Sequence, residues 1–443
     1  MKVIEPISWF LRLLAGQTMY GYIGATTTPA DARELYTRYR RGEPLRAGPY
    51  CEAFERETGH YFGGRQVISF GAGRMALYAM LRAMDLPAGS EIIVPGYNCV
   101  VTPQAILHAG CTPVYVDVSK DDFNLIPEQV QRAITPRTAA VLAQHTFGIA
   151  CDMDALQDIC RRKGIVLLED CAHAIGARYD GKLLGTFGQA AFFSTEGSKM
   201  ISTEHGGFAL TADAALAGRI RDIQMQAPFH DEATERRRLL RWCFRAAMAG
   251  RPGGGPWSEF VDYYICRFDV PDLQDILTYD LDQYQDTLEG RLVQPYPCRM
   301  GNLMSYAGLL QIRRIEANLA HRRRLAKRLD EVLPSMDATV PKISSRASPS
   351  WVRFPMVVGD RDAWADAMLA AGVAPGTWLN DPLHPAGCNW QQALYRRGSC
   401  PQGQWLGLHV LNFPLHRCLS PQRLDVAMRT IRGRLRKRPE REN

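Results

Sequence analysis

A chain of 443 residues, 46% hydrophobic and 22% charged, is long enough for two or three domains and has the composition of a soluble globular protein. No uncharged apolar run reaches the roughly 20 residues of a bilayer-spanning helix, and the cysteines are scattered without a CxxC pair or Cys/His ligand spacing, which argues against disulfides and against a metal. The net charge of +7 comes mainly from two clusters, ERRRLLRWCFR at 235–245 and the tail RTIRGRLRKRPEREN; without a nucleic-acid fold signature beside them they read as solvated faces, and no nucleic-acid partner is expected.

Residues 1–60 read as an N-terminal arm. Its apolar start, with Trp9 and Phe10, is interrupted by Glu5 and Arg12 and lacks a small-residue cleavage site, so a packed amphipathic helix and a cytoplasmic location are expected rather than a secretory signal. From 61 to 227 short apolar runs alternate with helix-period segments. QVISF and EIIVP flank GRMALYAMLRAM, PVYVDV precedes IPEQVQRAI, AAVLAQH precedes DMDALQDICRRKG, and IVLLED leads on to AAFFST. Near-continuously apolar, β-branched strands alternating with helices predict an α/β fold whose mostly parallel central sheet is covered on both faces. This makes 61–227 the large domain.

Residues 228–298 carry GRPGGGP, clustered aromatics and the first basic cluster without a strand signal, and read as an insertion or lid. Trp242, Phe244, Trp257 and the arginines at 236–238 leave contact with a membrane surface open as a minor alternative. The segment 299–443 reads as a linking helix, long or kinked over 302–334, followed by a smaller C-terminal α/β domain. WVRFPMVV and LHVLNFPLH are its strands, DAWADAMLAAG and PQRLDVAMRTIRGRL its helices.

In sheets of this kind ligands collect beyond the carboxyl ends of the strands. Gly71, Gly73 and Arg74 follow the first strand, Tyr97, Asn98 and Cys99 the second; His145 closes a later one, Glu169 and Asp170 end IVLLED, and Ser194 ends AAFFS. Just beyond lies Lys199. A lysine in a pocket of low polarity shifts toward the free amine that forms Schiff bases with carbonyls. A carboxylate ending a buried strand, such as Asp170, needs a cationic partner, and a protonated pyridine nitrogen is one. Pyridoxal phosphate needs both groups, together with a glycine-containing helix N-terminus for its phosphate, which GAGRMALYAML supplies through Gly73 and Arg74. His145, as a lone histidine at a strand end, is expected to be hydrogen-bonded structure; His384 and His416 leave packing and substrate contact both open, and Arg299 reads by default as a surface salt bridge, with carboxylate or phosphate binding as the alternative.

The run HTFGIACDMDALQDICRRKGIVLLEDCAHAIGARYDGKLLGTFGQAAFFSTEGSK, with VPGYNCVVTPQAILHAGCTPVYVDV upstream and RMGNLMSYAGLLQIRRIE downstream, resembles the DegT/DnrJ/EryC1/StrS family, the sugar aminotransferases of pyridoxal-phosphate fold type I. The resemblance implies Lys199 as the catalytic, cofactor-linked lysine, Asp170 on the pyridine nitrogen, His173 near the ring, and Ser194, Gly73 and Arg74 at the phosphate. It also implies a homodimer, an amino acid donor, glutamate by analogy, and a keto acceptor, most often a nucleotide-linked sugar. Departures from the family pattern fall on Cys99, where an aromatic ring is common, on Pro297, and on Glu204 and His205, which turn GEGG into TEHGG. They predict intact cofactor chemistry with altered substrate recognition. A non-nucleotide ketone, a dehydration and a non-catalytic role stay open as alternatives.

Overall fold

The computed structural model describes residues 20, 25–249, 286–292 and 294–436. The apolar start with Trp9 and Phe10, and the segment holding Trp257, lie outside them.

The chain enters through α1 (Pro29–Arg40), opened by a reciprocal cap in which the Thr28 hydroxyl accepts from the Asp31 N–H and the Asp31 carboxylate accepts from the Thr28 N–H. Helix α2 (Tyr50–Tyr61) follows. The strands β1 (Gln66–Phe70), β2 (Glu91–Pro95), β3 (Thr112–Val116), β4 (Thr138–Gln144), β5 (Val166–Asp170), β6 (Ala190–Ser194) and β7 (Gly207–Thr211) then build one seven-stranded sheet, in the order β1-β7-β6-β5-β4-β2-β3. Pairing is parallel from β6 across to β3 and antiparallel at β7, which runs back between β6 and β1.

Both faces of this sheet are covered, which is why its strands are apolar throughout rather than alternating. Ile68, Leu142 and Phe192 pack on one face with α3 (Gly73–Ala83), α4 (Val101–His108) and α7 (Ala214–Gln226). Their neighbours Val67, Val141 and Phe193 pack on the other with α2, α6 (Met153–Lys163) and α9 (Asn302–Ile312). Between β3 and β4 runs the short α5 (Pro127–Ala133). Helix α6 is delimited by its own sequence: the Asp152 side chain accepts from the Ala155 N–H at the start, and Gly164 at φ 65° ends it in the left-handed conformation.

Within the expected insertion, Glu232–Met248 forms helix α8, capped by Asp231. Its basic stretch is solvated only in part, with Arg236 exposed and Arg237 half-buried. Arg238, Arg241, Trp242 and Arg245 are buried, because Glu235 of the same helix pairs with Arg238 and Glu204 beneath the helix pairs with Arg241 and Arg245, which offsets the guanidinium charges. The apolar stretch over 302–334 is a kinked pair, α9 and α10 (Ile315–Val332), broken where Arg314 turns to pair with Asp31. A second sheet of three antiparallel strands, β8 (Ala338–Thr339), β9 (Phe354–Val358) and β10 (Val410–Phe413), packs with α10, α11 (Arg361–Ala370) and α13 (Pro421–Arg436). The expected strand LHVLNFPLH begins two residues late: Leu408 and His409 finish α12 (Pro401–His409), leaving Leu408 exposed. No described helix is long and apolar enough to cross a membrane.

Candidate active site

Strand register brings the chemistry to one edge. Gln144 pairs with Asp170, Asp170 with Phe192, Ser194 with Gly207, and Gly207 with Phe70, so the residues that follow β1, β4, β5 and β6 emerge side by side. They open on a cavity of about 300 Å³ lined by Gly73, Arg74, Asp170, His173, Ser194 and Lys199. The six residues that the family resemblance gave to the cofactor thus line one space.

At one end is the start of α3. Its N-cap, Ala72, has no side chain to satisfy the first helical N–H groups, and the helix N-terminus carries partial positive charge. Gly73 is required by space: a Cβ there would lie 3.0 Å from the Phe193 carbonyl oxygen and from Ser194 Cβ. Arg74 donates from Nη1 to Thr287 Oγ1 at 2.9 Å, while its Nε has no partner among the described residues. An anion of phosphate size meets N–H groups, a hydroxyl and a guanidinium here.

At the other end Asp170 is buried. It accepts the Ala172 N–H at 3.0 Å, yet burial pushes its carboxyl up to about 6, against the smaller opposing effects of that bond and of Lys199. An acid so placed lacks a full counter-charge. Lys199 is 6% exposed, and burial draws its amine down to about 8, with Arg353 adding to the effect and Glu196 opposing it. Its Nζ lies 4.2 Å from the centre of the Trp378 ring, and Arg353 packs 4.5 Å from the same ring while donating to Ser198, the residue before the lysine. His173 accepts the Phe147 N–H at Nδ1 (3.2 Å), and burial with the nearby cations holds it well below the ordinary histidine range, hence neutral.

The remaining strand-end residues divide. Cys99 and His384 line the cavity, as does Asn98. His145 also borders it, but both ring nitrogens are engaged, Nδ1 with the Cys151 N–H and Nε2 with Glu169, so it braces the strand ends. Glu169 points away and accepts the N–H groups of Gly185, Phe187 and Gly188. Tyr97 is fully buried in the core beside the second sheet and does not line the cavity. Gly71 packs on Cys298, His416 accepts the Cys418 N–H, and Arg299 lies over the Phe229 ring. Reading the sequence did not single out Thr287, Arg353 or Trp378. Thr287 and Trp378 lie in stretches without periodicity and Arg353 in the expected strand WVRFPMVV, whose spacing does not show what it faces; only the folded chain brings them to Arg74 and Lys199.

Pyridoxal phosphate fits these residues. The uncapped helix and the close approach at Gly73 suit its phosphate, the under-compensated Asp170 suits a protonated ring nitrogen, and the buried amine of Lys199 suits its aldehyde.

The model of the DegT/DnrJ/EryC1/StrS aminotransferase family matches residues 28–240 and 280–432. Among curated proteins, GDP-perosamine synthase of Caulobacter vibrioides is 37% identical over 179 residues, 40% of this chain and 48% of that protein, so the match spans about half of the relative's length. A UDP-N-acetyl-3-dehydro-alpha-D-glucosamine 3-aminotransferase of Acidithiobacillus ferrooxidans is 26% identical over 87% of this chain and 90% of its own. Among solved structures, the sugar aminotransferase CalS13 of Micromonospora echinospora superposes with a TM-score of 0.69 at 22% identity, covering 94% of this chain and 100% of that one, which establishes a shared fold.

Proposed function

Because the chain belongs to the DegT/DnrJ/EryC1/StrS aminotransferase family, we propose that it is a pyridoxal-phosphate-dependent aminotransferase moving an amino group from an amino acid, glutamate by analogy, to a keto sugar. The observation that carries this reading is the convergence of a buried amine, Lys199, and a buried carboxyl, Asp170, on one cavity whose far end is an uncapped helix N-terminus.

Bound there, the cofactor supplies an electron sink for the pair left when a C–H bond next to nitrogen breaks. The chain supplies the rest. The first N–H groups of α3, Ser194 and Arg74 would hold the phosphate, Asp170 would keep the ring nitrogen protonated, and His173 would be available to the ring from the same cavity. The Lys199 amine, poised near neutral pH, takes the proton from the donor's α-carbon and, in the second half of the cycle, returns one to the carbon that was the acceptor's carbonyl. Donor and acceptor use one site in turn, so ping-pong kinetics follow. The reading includes a homodimer in the cytoplasm and the partition of the chain at 61–227, 228–298 and 299–443.

The acceptor proposed first is a nucleotide-linked keto sugar, of the kind that the Acidithiobacillus relative's name describes. One observation favours a second reading, a ketone without the nucleotide. The arginines of α8 at 238, 241 and 245 are turned inward onto Glu235 and Glu204, so they are not the receptor for a diphosphate. Retention of the amine at Lys199 supports transamination over dehydration.

Purified full-length protein is expected to be yellow, to change its absorbance on adding glutamate, and to lose both properties in Lys199→Ala. Colourless protein that pyridoxal phosphate does not reconstitute would sink the proposal. Turnover of keto-sugar nucleotides against free keto cyclitols separates the two acceptors.

A further inference from the structure

Residues 203–207 form a turn squeezed between β6 and the start of α3. A Cβ on Gly207 would lie 2.4 Å from Gly73 Cα, and one on Gly206 would lie 2.4 Å from the hydroxyls of Thr195 and Thr203. His205 and Gly206 line the cavity beside Gly73 and Arg74. On its other side the turn holds the loop that carries Lys199: the Gly197 N–H donates to the Glu204 carbonyl at 3.0 Å, and the Thr203 N–H donates to the Thr195 carbonyl at 2.8 Å. A shift of this turn therefore moves both ends of the cavity.

At its apex is a residue with an unfavourable backbone. Glu204 has φ 62°, the left-handed region that glycine takes freely and other residues take at a cost. Its carboxylate is also buried. Both costs are met from α8, where Arg241 Nε (2.7 Å) and Arg245 Nη1 (2.5 Å) reach the same carboxylate oxygen, and the Trp242 indole N–H donates to the Ser202 carbonyl at 2.8 Å. The two guanidinium groups hold the Glu204 carboxyl below its ordinary range in spite of burial.

We propose that Glu204 is a positioning residue for the phosphate end of the site, and that α8 acts through it as a clamp, holding the 203–207 turn against Gly73 and thereby setting cofactor affinity. This rests on the pyridoxal phosphate reading above. It assigns a role to the basic helix, whose arginines do not line the cavity.

The test uses full-length protein stripped of cofactor and titrated with pyridoxal phosphate, read by the absorbance of the lysine-linked form. Arg241→Met with Arg245→Met keeps the apolar stems but leaves Glu204 buried without its cations. Affinity is expected to fall about tenfold or more, since a turn displaced from Gly73 shifts the helix N–H groups that meet the phosphate. Adding Glu204→Gly removes the buried charge and suits φ 62°, so affinity should return to within about threefold of wild type. Packing alone predicts no such rescue. Wild-type affinity in the double variant, or a triple variant that stays weak or unfolded, overturns the clamp. Failure of wild-type protein to bind pyridoxal phosphate overturns the underlying reading instead.

Discussion

The two walls of the cavity are built differently. The wall under Asp170, Ser194 and Gly73 is the edge of the seven-stranded sheet, where each side chain is placed by register against a neighbour: Gln144 by Asp170, Asp170 by Phe192, Ser194 by Gly207. The facing wall, with Trp378, Leu379 and His384, comes from the stretch between α11 and α12, which is irregular apart from Leu383–His384 pairing with Asn98–Cys99, and the cavity-lining residues it contributes carry no formal charge. Strand register tolerates little drift without turning every side chain to the other face, whereas a loop changes sequence without disturbing the core. On the proposed function, the contrast suits chemistry at the sheet edge and substrate choice at the loop.

Substitutions on the two walls should therefore fail in different ways. On the sheet edge, Asp170→Ala removes the partner of the ring nitrogen; a loss of about 3–5 kcal/mol, the usual result of breaking a buried charge pair, corresponds to about 10²- to 10⁴-fold in kcat/KM. Donor and acceptor half-reactions should fall together, which single-turnover absorbance with glutamate alone would reveal; an unchanged donor half-reaction would break the assignment. On the loop, Trp378→Ala should raise KM for the keto acceptor about tenfold, the worth of roughly one well-packed apolar contact. The cofactor's absorbance should persist. A loss of cofactor larger than the change in KM would move Trp378 to the chemical side of the comparison.

The sheet edge was legible in the sequence because covered strands are largely apolar, so the polar residue that closes each run marks the active edge, as Asp170 does at the end of VLLED and Ser194 at the end of AAFFS. Strand β7 adds a subtlety: running antiparallel, it brings its first residue, Gly207, to that edge. The loop wall was not legible, since nothing in the spacing of TWLNDPLHP shows that Trp378 will lie over Lys199. Helix α8 was misjudged for a related reason. Charge along a helix is read against solvent by default, and the partner that turns Arg241 and Arg245 inward, Glu204, lies more than thirty residues earlier in a turn. Long-range charge compensation leaves no local period.

The smallest expected effect concerns stability, and its sign depends on the cofactor. In cofactor-free protein Asp170 titrates near 6 rather than at the ordinary 3.8, so between those values the folded chain binds more protons than the unfolded one. Below about pH 4 its burial costs nothing on this account; the cost grows as pH rises and is complete above about 6, where it reaches about 3 kcal/mol. Lys199, drawn down to about 8 from 10.5, has the opposite slope: its cost is complete below about 8 and relieved as pH rises toward 10.5. Asp170→Asn keeps an acceptor for the Ala172 N–H but loses the charge, so cofactor-free variant should melt about 2–6 °C higher than wild type at pH 7, with the gain fading toward pH 4. With pyridoxal phosphate bound the order should reverse, because the variant no longer offers the ring nitrogen an anion. Melting curves of both proteins, stripped and loaded, at pH 4.5 and 7 decide it. A gain that persists at low pH, or that survives loading, would mean that Asp170 is placed for packing rather than for a cationic partner.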